Sequence, residues 1–261
     1  MGASQESAAA TASAYVRSFN RFELKYLAPI AAARAFADEL ALHAHPDPHS
    51  GLAGYPVYSL YWDSPELTFF WEKLDGEKLR RKLRFRRYEG RDEVYVEIKQ
   101  RTDRTVQKRR TRMPLVEALA LFDRGRIDGE HESRVSDAVL QEALVLVRQH
   151  KLRPAAAVRY QRQAWFATFE PDLRVTFDTR LQYDAHELDL AEPFRTGAYL
   201  LAPDWCVLEI KYNDRVPQWL LALVRRHGLD VVRFSKYCAA IDLAHFRGRH
   251  GLTRLGDKEN G

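Results

Sequence analysis

Two cysteines in 261 residues, Cys206 and Cys238, are too few for a disulfide framework, and neither stands in a metal-ligand spacing. Reduced core thiols are expected, as in a cytoplasmic protein. No apolar run approaches the roughly 20 residues that span a bilayer, so no membrane segment is expected. The opening stretch MGASQESAAATASAYVRS places Glu6 early, with no basic region ahead of an apolar one, which argues against a signal peptide. Glu6 also stands where a myristoylation signal wants a hydroxyl residue. The nucleotide loop GxxxxGK followed by Ser or Thr is missing, as are GxGxxG, GxSxG and HExxH. Those absences exclude the common phosphate-loop, dinucleotide, serine-hydrolase and zinc-protease sites. A phosphate-binding function would have to rest on Arg and Lys side chains, which grip phosphate by charge and, for Arg, by paired hydrogen bonds.

Such side chains are plentiful and unevenly placed. The chain is 46% hydrophobic, enough for a sizeable core, and 30% charged, above the usual share of about 25%. Its net charge is +5, yet residues 78–112 hold 15 Lys and Arg against 5 Asp and Glu. That window is therefore +10 and the rest of the chain −5. A concentrated positive field draws polyanions such as phosphates, nucleic acid or acidic lipid.

The basic window alternates with apolar residues at the period of a β-strand. In RRKLRFRRY (80–88), Arg84 and Arg86 share one face and Leu83 and Phe85 the other. VYVEIK (94–99) sets Glu97 and Lys99 opposite Val96 and Ile98, and TVQKRRTRMP (105–114) aligns Lys108, Arg110 and Arg112. Similar strands are expected at 20–27 (Arg21, Glu23 and Lys25 on one face), 57–64, 158–168 (Arg162), 173–181 (Arg174, Thr176, Asp178) and 206–213 (Glu209, Lys211). Helices are expected from Pro29 to about His43, over 115–124 and 134–150, from Val216 to a stop at Gly228, and after a Ser235 cap with Lys236 in the first turn. No linker interrupts the pattern. It predicts one α+β domain, largely antiparallel, over 19–246, with tails at 1–18 and 247–261.

Alternation alone leaves two arrangements open. An open sheet would turn its charged face to water, whereas a closed barrel would turn it into a lumen. Exposed sheet faces normally mix Thr, Ser, Gln, Lys and Glu, and like charges opposite one another destabilise a sheet. The crowd of Arg84, Arg86, Lys99, Lys108, Arg162, Arg174 and Lys211 therefore calls for a compensating anion. Glu23, Glu97 and Glu209 each precede a Lys by two residues. They can form internal ion pairs or hold a hard divalent cation that bridges to phosphate. His43, His45 and His49 lie in a Pro-rich segment better read as a surface loop than as a metal site. Tyr26 and Trp165 fall on apolar faces and belong in the core, while Tyr88 and Tyr95 share the face of the charges, where they could stack on a nucleotide.

In order along the chain, RFELKYL, YSLYWDSP, KLRFRRYEG, VEIKQR, the Lys108 strand, YQRQAWF, LRVTFDT, VLEIKY and VRFSKY resemble the triphosphate tunnel metalloenzymes. The likeness is closest to the polyphosphate polymerase (VTC) domain of the vacuolar transporter chaperone family. It implies an antiparallel eight-stranded β-barrel tunnel with helices packed outside. It implies transfer of the terminal phosphoryl group of ATP onto a growing polyphosphate chain, with Mn2+ or Mg2+ as cofactor. ATP and inorganic polyphosphate would be the partners; nucleic acid would not.

Carried over by motif, Lys25, Arg84, Arg86, Lys99, Arg162, Arg174 and Lys236 would be catalytic phosphate contacts, joined by Lys108, Lys211 and Arg233. Glu209, with Glu97 and Glu23, would hold the metal. Hydrolytic tunnel enzymes carry ExExK on the first strand, whereas Arg21 stands here in place of the first carboxylate, which favours transfer over hydrolysis. A tunnel-type triphosphatase and a non-catalytic polyphosphate-binding module are the alternatives.

Overall fold

The computed structural model describes residues 21–48, 51–103, 105–123, 126–127, 132, 135–192, 194 and 197–251. The expected amino-terminal tail and the last ten residues lie outside the described residues. Strands β1 (Arg21–Pro29), β3 (Tyr55–Asp63), β4 (Leu79–Tyr88), β5 (Glu93–Thr102), β6 (Thr105–Pro114), β9 (Arg153–Ala167), β10 (Arg174–Asp184) and β12 (Trp205–Asn213) form one antiparallel sheet in the order β1-β12-β10-β9-β3-β4-β5-β6. Short strands β2 (Ala44–Pro46) and β11 (Ala198–Tyr199) add to β9 and β10, and β7 (Phe122–Asp123) with β8 (Arg126–Ile127) makes a separate pair.

The expected antiparallel eight-strand sheet is present, curled into a half-barrel. Among the described residues its hydrogen-bonded path runs from β1 to β6 without joining them, so the barrel is open along that seam. The convex side carries two cores. Leu83, Phe85, Val94, Val96 and Ile98 pack under helices α3 (Leu115–Leu121) and α4 (Ala138–His150). Tyr26, Val175, Phe177, Leu208, Ile210 and Trp165 pack under α1 (Ile30–Leu40) and α5 (Gln218–Arg226). Phe85 is fully buried; cutting it to Ala would cost about 3–5 kcal/mol.

Helix α6 (Lys236–Phe246) departs from the expectation that helices pack outside. Val57, Tyr61, Ala156, Val158, Tyr160 and Val207 on the concave face join Phe234, Tyr237, Cys238 and Ile241 in a third core, which also takes in Phe70 of α2 (Thr68–Leu74). The physical reason is that the concave face is not charged throughout. One half is small and apolar, and α6 fills it. Ser235 caps α6 by accepting from the Cys238 amide, as expected. Asp63 ties α6 to α2: fully buried, it accepts from the amides of Phe69 and Phe70 and from the Tyr237 hydroxyl. Arg247 to Gly251 continue beyond α6, where His250 packs edge-on to Phe70, Trp71 and Phe246.

Element bounds differ at several points. The first helix ends at Leu40, because the chain then turns into β2 to pair with β9. The helix expected over 134–150 starts at Ala138, where the Asp137 carboxylate caps the amides of Val139 and Leu140. The strand expected at 158–168 begins at Arg153 and holds 15 residues, because its first half pairs with β3 across a bulge at Tyr61. Both cysteines are free and buried, and burial pushes the Cys206 thiol up to about 12.

Candidate functional site

The register of the sheet gathers the charged residues on the concave face. Lys25 stands opposite Glu209, Glu23 opposite Lys211 and Glu209 opposite Thr176. Arg162 faces Asp178, Arg84 faces Glu97, and Lys99 faces Lys108. Gly54, at φ +70°, holds β9 in place: a Cβ there would lie 2.4 Å from the Arg162 carbonyl oxygen, so only glycine lets the chain pass.

On one wall, formed by β1, β12, β10, β9 and α6, Glu209 lies at the centre of four cations. Its Oε1 is 2.9 Å from Lys236 Nζ and 3.5 Å from Lys25 Nζ. Its Oε2 is 2.9 Å from Lys211 Nζ and 3.4 Å from Arg162 Nη2. Asp178 lies deeper, with no exposed surface, and takes Arg162 Nε and Nη2 at 2.6 Å each and Lys236 Nζ at 2.6 Å. Lys25 also reaches Glu23 at 3.1 Å and donates to the Phe234 carbonyl at 3.0 Å. Burial alone would push the Glu209 carboxyl up, but Lys211, Lys236, Lys25 and Arg162 hold it well below the carboxylate range. Burial likewise opposes ionisation of Glu23, yet Lys25 and Lys211 bring it down to about 2. Lys236 and Lys25 are raised because their carboxylates outweigh desolvation.

On the other wall, formed by β3 to β6, one carboxylate among the described residues lies within the basic cluster, Glu97; Glu93, further along β5, pairs with Arg112, and Asp63 of β3 is taken up by the α2 amides and Tyr237. Glu97 is buried and is gripped through both Nε and Nη2 by Arg84, the Nε at 2.8 Å, with Lys108 Nζ at 3.1 Å and Arg86 Nε at 3.9 Å. Arg84 donates to the Tyr61 hydroxyl at 3.3 Å, and Arg86 to the Tyr160 hydroxyl at 3.2 Å. Lys82 donates to Ser235 Oγ at 3.2 Å. Among the described residues Lys99 has no carboxylate at ion-pair distance; burial, together with Lys82, Lys25 and Arg84, lowers it to about 8 against the pull of Glu23. Lys25 of β1 and Lys82 of β4 both reach the turn ahead of α6, at the Phe234 carbonyl and Ser235 Oγ, which sets the two walls on either side of one groove. Lys108 is lowered to about 8 by burial and by Arg84 and Arg86, against Glu97.

The remaining sequence candidates fall outside these clusters. Arg174 is 3.6 Å from Asp47, donates to the Tyr55 hydroxyl at 3.3 Å and lies over the Phe166 ring. Arg233 is exposed and its charge is felt by Arg80 and Lys73, away from the two carboxylate clusters. Arg81 and Arg87, on the opposite parity, are tied down on the outer side. Arg81 pairs with Glu72 and His150, and Arg87 donates to the carbonyls of Leu190 and Ala191. His43 stacks on Trp219 and His45 on Phe166, so those rings pack rather than converge, while His49 lies outside the described residues. The Arg21 side chain also lies outside the described residues.

Glu23, Glu97 and Glu209 do not come together. The first and last share Lys25, whereas Glu97 belongs to the opposite wall, and among the described residues no three His, Cys, Asp or Glu could hold a metal ion between them. A hard cation bound chiefly by substrate oxygens needs only one or two protein carboxylates. Glu209 and Glu23 fit that lesser demand. Beside Glu209, the Thr176 hydroxyl is fully buried with no hydrogen-bond partner, a further oxygen for such an ion or its water.

Sequence reasoning missed Asp178, Tyr61, Tyr160, Lys82 and Arg110 as site residues. Parity sets Asp178 on the face of Arg174 and Thr176, and Arg110 on that of Lys108, but does not mark which members of a face converge. The tyrosines carried no such signal, because whether an aromatic side chain packs or supports an arginine depends on the opposing strand.

The whole described sheet with its two charged walls coincides with one family model: residues 20–245 match the VTC domain, and the chain belongs to that family. A curated relative, vacuolar transporter chaperone complex subunit 4 of Trypanosoma brucei brucei, is 26% identical over 228 residues, which cover 72% of this chain and 28% of that protein. The chain thus spans a little over a quarter of that relative. Among solved structures, HpAC1 from Hippeastrum, described as having a dominant triphosphatase activity, superposes with a TM-score of 0.51 at 12% identity, covering 83% of this chain and 92% of that one. A Bacillus halodurans protein, bh2851, aligns with a TM-score of 0.48 at 11% identity over 83% and 95% of the two chains. Among the described residues no helix is long and apolar enough to cross a membrane.

Proposed function

We propose that the chain is a polyphosphate polymerase, moving the terminal phosphoryl group of ATP onto an inorganic polyphosphate chain held in the groove. One observation carries the reading: two facing walls of Lys and Arg, one almost neutralised by its own carboxylates and the other with Lys108, Arg84 and Arg86 sharing Glu97 and with Lys99, among the described residues, at ion-pair distance from no carboxylate. Phosphoryl transfer asks little covalent work of a protein; it needs an in-line nucleophile and fixed positive charge on the transferred group. Arg84 and Arg86 are held rigid by Glu97, Tyr61 and Tyr160 and would clamp equatorial phosphate oxygens. Lys99 and Lys108, lacking full compensation, would take the neighbouring phosphates. The terminal phosphate of the acceptor is already an anion, so no strong general base is required. Lys236 and Arg162, locked on Asp178, would position the donor's leaving diphosphate. A divalent ion bound with the substrate at Glu209, with Glu23 close by, would shield charge on the phosphates.

A cytoplasmic setting and further subunits of an assembly are part of the same reading, supported by the buried reduced thiols and by the relative's place in a chaperone complex. Hydrolysis of inorganic triphosphate is the second reading, favoured by the fold shared with HpAC1. Incubation with ATP and Mn2+ or Mg2+, read by phosphorus NMR and gel, separates the two. Long-chain polyphosphate is the expected product, lost on chelation of the metal; orthophosphate alone would sink the polymerase.

A further inference from the structure

Beyond the charged rows, one end of the concave face is aromatic. Tyr55, Tyr88 and Tyr95 stand on β3, β4 and β5 with ring centroids 5.7 Å and 5.6 Å apart in edge-to-face contact. The strip is bracketed by two guanidinium groups, Arg110 lying 5.3 Å from the Tyr95 centroid and Arg174 donating to the Tyr55 hydroxyl. All three rings are partly exposed rather than sealed in a core. Their register ties them to the phosphate rows: Tyr95 is the direct partner of Arg86, Tyr55 that of Arg162, and Tyr88 lies two residues beyond Arg86 on the same face. Two residues along a strand span about 7 Å. That is the offset between the phosphates of a nucleotide and its base.

We propose that the Tyr55–Tyr88–Tyr95 strip is the docking platform for the base of a nucleoside triphosphate whose phosphates lie along Arg84, Arg86 and Arg162. The inference rests on the reading of the groove as a phosphate site, and it adds direction: the nucleoside enters at the tyrosine end, so the phosphate chain extends toward the α6 end. Among the described residues the platform offers ring faces, phenol hydroxyls and guanidinium planes, and the nearby Asp47 carboxylate is turned to Arg174 at 3.6 Å. It therefore binds a base by stacking, which every base can satisfy. Adenine and guanine nucleotides would be taken with similar affinity.

The test is calorimetric binding of ATP, GTP and inorganic tripolyphosphate to the whole chain and to Tyr88→Ala, Tyr95→Ala and Tyr88→Phe. Loss of one stacking partner should lower the ATP-to-tripolyphosphate affinity ratio about tenfold in the alanine variants, with Tyr88→Phe close to the parent and GTP following ATP. An unchanged ratio in both alanine variants would overturn the platform, with retained tripolyphosphate binding showing that the groove is still folded. A parent protein that fails to bind tripolyphosphate would overturn the phosphate reading itself and the platform with it.

Discussion

The two walls of the groove use the same residue types to different ends. On the Glu209 wall, Lys25, Lys211, Lys236 and Arg162 meet three carboxylates, Glu23, Glu209 and Asp178, and every charge has a partner. On the Glu97 wall, Arg84, Arg86 and Lys108 share one carboxylate and Lys99 has none at ion-pair distance among the described residues. A matched network can be buried because each charge is satisfied, whereas Lys99 and Lys108, which carry the excess positive charge, stay open to solvent along the groove. The first wall is thus built to be stable by itself and the second to be completed by a polyanion.

Substitutions should separate the walls. The largest effect is expected from Arg162→Ala, which removes the paired guanidinium from fully buried Asp178, leaving it Lys236, and takes one of four cations from Glu209. Stability measured by denaturant unfolding should fall by about 3–5 kcal/mol, and a loss under 1 kcal/mol would mean that the matched wall is not structural. Lys99→Ala should leave stability within about 0.5 kcal/mol while weakening tripolyphosphate binding roughly ten- to a hundredfold, the worth of a charged hydrogen bond. If instead it unfolds the chain, the second wall is a scaffold and not a receptor.

A pH dependence near 8 is expected from the second wall. Lys99 and Lys108 titrate at about 8 in the free protein, so their ammonium groups are present below that pH and lost above it. Tripolyphosphate affinity should fall as pH rises through 8. Binding at pH 8.5 should take up protons, because a bound anion raises both lysines; calorimetry in buffers of different ionisation enthalpy reads the uptake. Proton release would reverse the assignment. The smallest effect is expected from Tyr61→Phe, which removes one hydrogen bond to Arg84 and should raise the KM for ATP a few-fold, in line with about 0.5–1.5 kcal/mol.

Much of this contrast could be read from residue parity. Arg84, Arg86, Lys99, Lys108, Arg162, Arg174, Lys25 and Lys211 all lie on the face that alternation assigned them, because a strand pointing Leu83 and Phe85 into a helix-covered core has no other way to turn its arginines. Parity assigns a face but not a neighbour across the sheet. It could not show that Glu97 stands apart from Glu209, since that depends on strand order: β1 pairs with β12, and β5 with β4 and β6. Nor could it show that Asp178 takes up Arg162 and Lys236, or that α6 enters the concave side, because both depend on contacts between segments far apart in the chain.

A phosphate chain is expected to bind at the Glu97 wall. Calorimetry of inorganic tripolyphosphate, without metal, against the parent and against Lys99→Ala combined with Lys108→Ala addresses this point. We expect salt-sensitive binding to the parent that the double variant loses at least a hundredfold, with its unfolding curve unchanged. Equal affinity in the two proteins would contradict the assignment of the Glu97 wall as the phosphate receptor.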